Sequence, residues 1–150
     1  MSTVILKQNN LRFELFEPNT DYDDNWKLIC FDKSNMQCGH ITFKMQSNPD
    51  DYDIIFDGEV ANIVDEYEPI CLEYLVVEPK YRLKGIGKLL LQTFINYIVQ
   101  DNTCILLKAL FGVSKELQEK LDTDVLPKFY ESFGFKQIEP NHNYYVLNLY

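Results

Sequence analysis

Apolar and polar residues alternate along Leu11-Arg12-Phe13-Glu14-Leu15-Phe16, which predicts a half-buried strand closed by Pro18 and Asn19. Two further runs rich in β-forming residues, Trp26 to Phe31 and Gln37 to Met45, are joined by Asp32-Lys33-Ser34-Asn35, a turn-type cluster of hairpin length. The chain therefore opens on a meander. From Ile70 to Val77 the pattern becomes a nearly continuous apolar run, as in a central strand covered on both faces. Helical spacing takes over at Ile86. Ile86, Leu90, Phe94, Tyr97 and Ile98 recur at the helical period, predicting a helix of about four turns to Val99 with one stripe on the sheet. Cys104 to Leu110 reads as a buried strand, Ser114 to Leu121 as a short helix, and Asp124 to Phe133 as a helix stopped by Gly134. Strands at Phe135 to Ile138 and Tyr144 to Leu149 close the chain. Between Gln46 and Glu68 the pattern admits strand or short helix, so this segment is an excursion over the sheet with no assigned conformation. The sum is α+β, a mixed sheet of six or seven strands with helices on both faces.

At 150 residues, 46% of them hydrophobic, the chain has enough apolar material for one core and too little length for two ordinary domains, so residues 1–150 are expected to form a single domain. A quarter of the residues are charged, which argues against disorder and against a membrane protein. No run approaches the roughly 18 to 20 apolar residues of a membrane span, and Met1-Ser2-Thr3-Val4 lacks the basic and long apolar parts of a signal peptide. A cytoplasmic location is the expectation.

Four cysteines, Cys30, Cys38, Cys71 and Cys104, sit singly in apolar, strand-like segments without a CxxC pair. They read as buried, reduced thiols, and no metal is expected. A nucleophilic cysteine would need a histidine partner, and His40 and His142 are lone residues. The net charge is −9, with acid crowded into Asp21, Asp23 and Asp24 and then into Asp50, Asp51, Asp53, Asp57, Glu59, Asp65, Glu66 and Glu68. Such a surface repels nucleic-acid backbones and anionic membranes, which excludes both as expected partners. It would attract a cationic acceptor, or it is simply a solvated face.

The segment with candidate chemistry follows the apolar strand. A strand running through Val77 into a glycine-containing turn that opens a helix is a phosphate-binding arrangement, because unpaired N–H groups and the helix dipole face the ligand. Gly85 and Gly87 allow close backbone approach, while Arg82, Lys84 and Lys88 supply cations. A dinucleotide fingerprint would need glycine where Leu90 stands, and a Walker loop would need Ser or Thr where Leu89 stands. Neither fits.

What remains, Arg82-Leu83-Lys84-Gly85-Ile86-Gly87 after Leu75-Val76-Val77 and before a long apolar helix, resembles motif A of the GNAT superfamily of N-acetyltransferases. A second feature, Tyr130-Glu131-Ser132-Phe133-Gly134-Phe135, is similar to the family's Tyr-x-x-x-Gly-Phe signature near the C-terminus. The resemblance implies a GNAT-like, mostly antiparallel sheet and acetyl-CoA as cosubstrate. It implies that backbone groups of Leu75, Val76 and Val77 pair with the pantetheine arm like an added strand. Pyrophosphate contacts are implied from Leu83, Lys84, Gly85, Ile86, Gly87 and Lys88. The chain departs from the family at Thr123, where Asn is frequent, and in the short span Glu17 to Asn25, where the family usually has two acceptor-site helices.

The implied reaction is direct attack of a primary amine on the thioester. An acceptor ammonium must first lose a proton, and Glu73 is the candidate base: strand alternation places Cys71, Glu73, Leu75 and Val77 on one face, where resembling enzymes carry their base. A carboxylate in an apolar run would have its pKa raised by desolvation; alternatively, Glu73 pairs with a nearby cation. Expulsion of the thiolate needs an acid. Tyr130 suits that role, since a phenol of pKa about 10 is protonated at neutral pH; alternatively, it is core, because Leu126, Phe129, Tyr130 and Phe133 form a helical stripe. A non-catalytic acyl-CoA-binding or partner-binding module is the other class of function the chain admits. The acceptor, a small-molecule or protein amine, and whether the chain forms a homodimer are left open by the sequence.

Overall fold

The computed structural model of the chain describes residues 2–19, 25–44, 70–82, 84–99, 104–108, 126–137 and 144–148. Strands β1 (Ser2–Gln8) and β2 (Leu11–Phe16) form an antiparallel hairpin around Asn9 and Asn10. Both asparagines have positive φ, 53° and 64°, the left-handed pair that a tight hairpin turn requires and that Asn tolerates. The meander continues through β3 (Trp26–Phe31) and β4 (Gln37–Lys44). Strand β5 (Ile70–Val77) precedes helix α1 (Ile86–Thr93), and β6 (Cys104–Lys108), α2 (Leu126–Glu131), β7 (Lys136–Gln137) and β8 (Tyr144–Asn148) follow. The hydrogen-bonded strand order is β1-β2-β3-β4-β5-β6-β8-β7. Strands β5 and β6 pair in parallel, whereas β1–β2, β2–β3, β3–β4, β6–β8 and β7–β8 are antiparallel. The sheet is mixed and mostly antiparallel.

Among the described residues eight strands stand where six or seven are expected, and the additional one is β1. Its register shifts between Val4 and Leu6, so a bulge breaks the two-residue period, and most of its side chains are exposed. Ser114 to Leu121, the excursion from Gln46 to Glu68 and Thr123 lie outside the described residues.

The chain divides into two compact units, Met1–Lys44 with Glu73–Gln100, and Met45–Leu72 with Asp101–Tyr150. In the first, Phe13, Leu28, Cys30, Ile41 and Phe43 are buried, and α1 packs on β3 and β4 through Ile86, Leu90, Leu91 and Phe94. The Phe94 ring meets Phe43 edge-on at 4.9 Å, a favoured aromatic geometry. The predicted four-turn helix changes pitch after Thr93, becoming a π-type turn over Phe94–Ile98 that closes with the Val99 amide donating to the Phe94 carbonyl. This wider turn rotates the stripe. Tyr97, expected on the buried face, is 56% exposed.

In the second unit, Ile105, Leu106 and Leu107 are consecutive and fully buried, so β6 is covered on both faces. Ile70, Cys71 and Leu72 pair with them one to one. The double covering expected along all of Ile70 to Val77 holds for this first part. Beyond it, Leu75 is buried but Tyr74 is 47% exposed, which restores the alternation of a strand with one open face. Helix α2 stops where Gly134 takes φ 95°, with the Phe133 and Phe135 amides both donating to the Tyr130 carbonyl.

Cys30, Cys38 and Cys71 are buried free thiols, as their apolar settings predict. Burial first, then the neighbouring Cys38, pushes the Cys30 thiol up to about 12, and burial also raises Cys38. These are poor nucleophiles.

Gly39 on β4 marks a close approach to β5. A Cβ there would sit 2.7 Å from the Val76 carbonyl oxygen, 3.1 Å from Leu90 Cδ1 and 3.3 Å from Val77 Cα. Two of these three neighbours are backbone and cannot turn aside. Gly39→Ala is expected to destabilise the protein by about 1–3 kcal/mol, the usual range for overpacking, measured by urea denaturation. A stability equal to wild type would show that the strands separate freely.

Candidate functional site

The turn after β5 is tied down before the glycine loop begins. The Glu78 amide donates to the Cys38 carbonyl at 2.8 Å, and Pro79–Tyr81 form a single 3₁₀ turn in which the Tyr81 amide donates to the Glu78 carbonyl. Proline at the start of that turn suits its fixed φ and its missing N–H. Arg82 then folds back, its Nε donating to the Val77 carbonyl at 3.0 Å. Residue 83 lies outside the described residues, so the contact implied for Leu83 has no structural counterpart here.

Helix α1 starts at Gly85, whose φ of 79° is left-handed and whose missing Cβ faces open space, with no atom within 4 Å. Its carbonyl accepts the first helical bond, from the Leu89 amide at 3.0 Å. The amides of Ile86, Gly87 and Lys88 therefore belong to the first turn, which has no intrahelical acceptors to offer. Lys84 and Lys88 are exposed beside it, as is Arg82. These residues fit a pyrophosphate: a glycine that lets it approach, first-turn N–H groups and flanking cations. Among the described residues, no group of three or more His, Cys, Asp or Glu is arranged to hold a metal.

The strand residues behind the loop are mixed in burial. Leu75 is buried, while Val76 and Val77 are half-buried. Glu73 is not in the apolar setting expected of it: about 29% of its side chain is exposed, and its Oε1 lies 3.3 Å from Lys44 Nζ. Lys44 is thus a nearby cation of the kind the sequence left open for Glu73. Lys44 was not among the residues singled out from sequence, and with β4 and β5 separated by 25 residues no spacing pattern joins the two.

Tyr130 lies in the second unit, on α2, and is 1% exposed. Its ring packs against Phe129, Phe135 and Tyr145 at centroid distances of 5.2, 5.8 and 5.4 Å. The stripe foreseen for this helix is thus present at Phe129 and Tyr130, with Phe133 against Phe129 at 5.5 Å.

Two further residues went unnoticed in the sequence. The Tyr81 hydroxyl donates to Asp32 Oδ2 at 2.5 Å, while Asp32 Oδ1 accepts from the Ser34 and Met36 amides at 2.8 and 2.9 Å. The Nζ atoms of Lys80 and Lys84 lie 5.4 and 5.8 Å from the centre of the Tyr81 ring, within cation–π range. Asp32 was legible as a turn residue, since Asp commonly bonds backbone two residues ahead. Its link to Tyr81 spans 49 positions and left no local signal.

The Tyr81 hydrogen bond, followed by the Met36 amide, holds the Asp32 carboxyl below its ordinary 3.8. The same bond pushes the Tyr81 phenol up from 10.0 to about 12. A lowered carboxyl contributes stability above its unfolded pKa and loses it as pH falls; a raised phenol contributes below its unfolded pKa and loses it as pH rises through the folded value. Thermal melts should therefore show wild type above Tyr81→Phe by a constant margin from about pH 5 to 9. That margin should narrow below the carboxyl's ordinary 3.8 and again from 10.0 toward about 12. A margin independent of pH would mean that the hydrogen bond shifts neither group.

The profile of the acetyltransferase (GNAT) domain family matches residues 49–137. No curated protein matches the chain. Among solved structures, a protein from Exiguobacterium sp. 255-15 described as a candidate acetyltransferase is 15% identical, with a TM-score of 0.47 over 84% of this chain and 64% of its own. An integron cassette protein from the mobile metagenome of V. cholerae is 16% identical, with a TM-score of 0.46 over 82% of this chain and 61% of its own. Arabidopsis thaliana NAA60, in complex with a bisubstrate analogue, is 16% identical, with a TM-score of 0.47 over 83% of this chain and 75% of its own. The chain thus spans less than two thirds of the first two structures it matches. With a family profile aligned over more than half of its length and covering both β5 and the glycine loop, the chain belongs to the GNAT acetyltransferase family.

Proposed function

We propose that this chain transfers an acetyl group from acetyl-CoA to a primary amine by direct attack on the thioester. The observation that carries the reading is the start of α1: a left-handed Gly85 with open space where a side chain would stand, first-turn amides, and exposed Arg82, Lys84 and Lys88. Acetyl-CoA supplies an activated acyl group on a thiol leaving group. Leu83, Lys84, Gly85, Ile86, Gly87 and Lys88 bind its pyrophosphate in this reading, and the backbone of Leu75, Val76 and Val77 takes the pantetheine arm.

Glu73 takes the proton of the acceptor. In this reading it does so while Oε1 lies 3.3 Å from Lys44 Nζ. Tyr130 donates its phenolic proton to the departing thiolate. The acceptor is cationic, a reading supported by the eight carboxylates between Asp50 and Glu68 and the net charge of −9. The cytoplasm is the proposed location, and an acceptor screen with acetyl-CoA, read as release of free thiol, identifies the substrate class.

The near-complete burial of Tyr130 in an aromatic cluster favours a second reading, a non-catalytic acyl-CoA-binding module in which Tyr130 is core. One variant tests the CoA site that both readings share, and a second separates them. CoA should raise the Tm of wild type, since a ligand bound to the folded state stabilises it by mass action, and Gly87→Asp should abolish the shift by setting a carboxylate against the pyrophosphate. A folded Gly87→Asp stabilised as well as wild type would refute the loop assignment.

Tyr130→Phe keeps the ring and deletes the hydroxyl. As the general acid, Tyr130 predicts a fall in turnover of about a hundredfold or more with CoA-induced stabilisation retained. Turnover within about threefold of wild type on a confirmed acceptor would return the residue to the core.

A further inference from the structure

We propose that Asp32 and Tyr81 are positioning residues, a tether that holds the CoA-binding loop in register with β5 by fixing it to the β3–β4 hairpin. The inference rests on the proposed binding of CoA at the start of α1. It goes beyond that binding by assigning a role to two residues that lie outside the glycine motif.

The argument starts from how few residues connect β5 to α1. Val77 ends the strand and Ile86 begins the helix, so eight residues, Glu78 to Gly85, set where the first-turn amides stand. Their near end is fixed at three points: the Glu78 amide on the Cys38 carbonyl, the Tyr81 hydroxyl on Asp32 Oδ2 and the Arg82 Nε on the Val77 carbonyl. The first two reach the same hairpin from opposite sides of the 3₁₀ turn. Without the tie at Tyr81, the hairpin holds the turn at Glu78 alone, and the far end of the turn rests on the exposed Arg82 side chain and its contact with the Val77 carbonyl.

The anchor is itself rigid. Asp32 uses one carboxylate oxygen on the Ser34 and Met36 amides, and its own backbone amide donates to the Met36 carbonyl at 2.9 Å. Its second oxygen is therefore held in place to receive Tyr81. A hydrogen bond to a carboxylate is about twice as strong as one between neutral groups, which suits it to hold a loop at a partly exposed position. Tyr81 also sets the cations. The Nζ atoms of Lys80 and Lys84 lie 5.4 and 5.8 Å from the centre of its ring, so the place of the ring bears on the charges that flank the loop.

A merely structural bond would lower stability and leave the affinity of the folded protein for CoA unchanged, whereas a positioning bond changes that affinity. The test is titration calorimetry with CoA at a temperature where every variant is folded, on wild type, Tyr81→Phe, Asp32→Ala, Asp32→Asn and the Tyr81→Phe/Asp32→Ala double variant. Tyr81→Phe keeps the ring near Lys80 and Lys84 and removes the tether; its Kd for CoA should rise about fivefold or more. Asp32→Ala should show a similar rise, and the double variant should be no weaker than the weaker single, because both remove one interaction. Asp32→Asn can still accept from the turn amides and bond Tyr81, so it should recover most of the affinity. Unchanged Kd in Tyr81→Phe, or additive losses in the double variant, would overturn the proposal. Wild type that fails to bind CoA at all would instead overturn the binding reading beneath it, and Gly87→Asp marks that baseline.

Discussion

The site depends on one close approach, Gly39 of β4 against the last residues of β5. A hydrogen in place of a side chain lets the Val76 carbonyl and Val77 Cα come within a distance that any Cβ would violate, and the Leu90 methyl of α1 closes on the same spot. Strand, following helix and hairpin are thereby referred to a single point. The Glu78 amide can then reach the Cys38 carbonyl, which fixes where the chain leaves β5, and the 3₁₀ turn at Pro79 follows from that exit. Because interiors are packed as densely as organic crystals, a shift of one ångström here is carried into α1 rather than absorbed.

Local rules made the architecture legible where period and punctuation agreed. The hairpin at Asp32 to Asn35, the apolar strand at Ile70, the strand–glycine–helix order and the left-handed Gly134 all follow from short-range patterns, and each is present. Strand β1 escaped because its bulge erases the two-residue alternation, although Asn9-Asn10 was a turn signal in plain view. Tyr97 was misassigned for a similar reason: a change of helical pitch after Thr93 rotates the stripe, and nothing in the apolar spacing announces it.

The candidate site divides along the same line. Its glycines and cations are contiguous and were readable as a motif. Partners across strands were not, because they are fixed by the register of the sheet: Lys44 meets Glu73 and Asp32 meets Tyr81 at separations no local window spans. The identity of Glu73 was visible and its setting was not. An apolar run in sequence implies desolvation only where the neighbouring strands cover it, and in β5 that covering is complete at Leu72 but not at Tyr74. A residue placed between the two takes a solvent-accessible ion pair instead, and such exposed pairs contribute little stability on their own, of order 0–1 kcal/mol.

Charge distribution poses a final question, since an anionic cosubstrate is proposed for a chain of net charge −9. The resolution is one of range. Screening weakens interactions beyond about 8 Å at physiological ionic strength, while groups in the immediate shell of a bound pyrophosphate act almost unscreened. Lys80, Arg82, Lys84 and Lys88 fall within nine residues, and the helix dipole adds to them at close range. A net charge of −9 acts on approach, slowing an anionic ligand and hastening a cationic one. On the proposed reaction with a cationic acceptor, short-range cations would hold the anionic cosubstrate while the net negative charge draws in the acceptor.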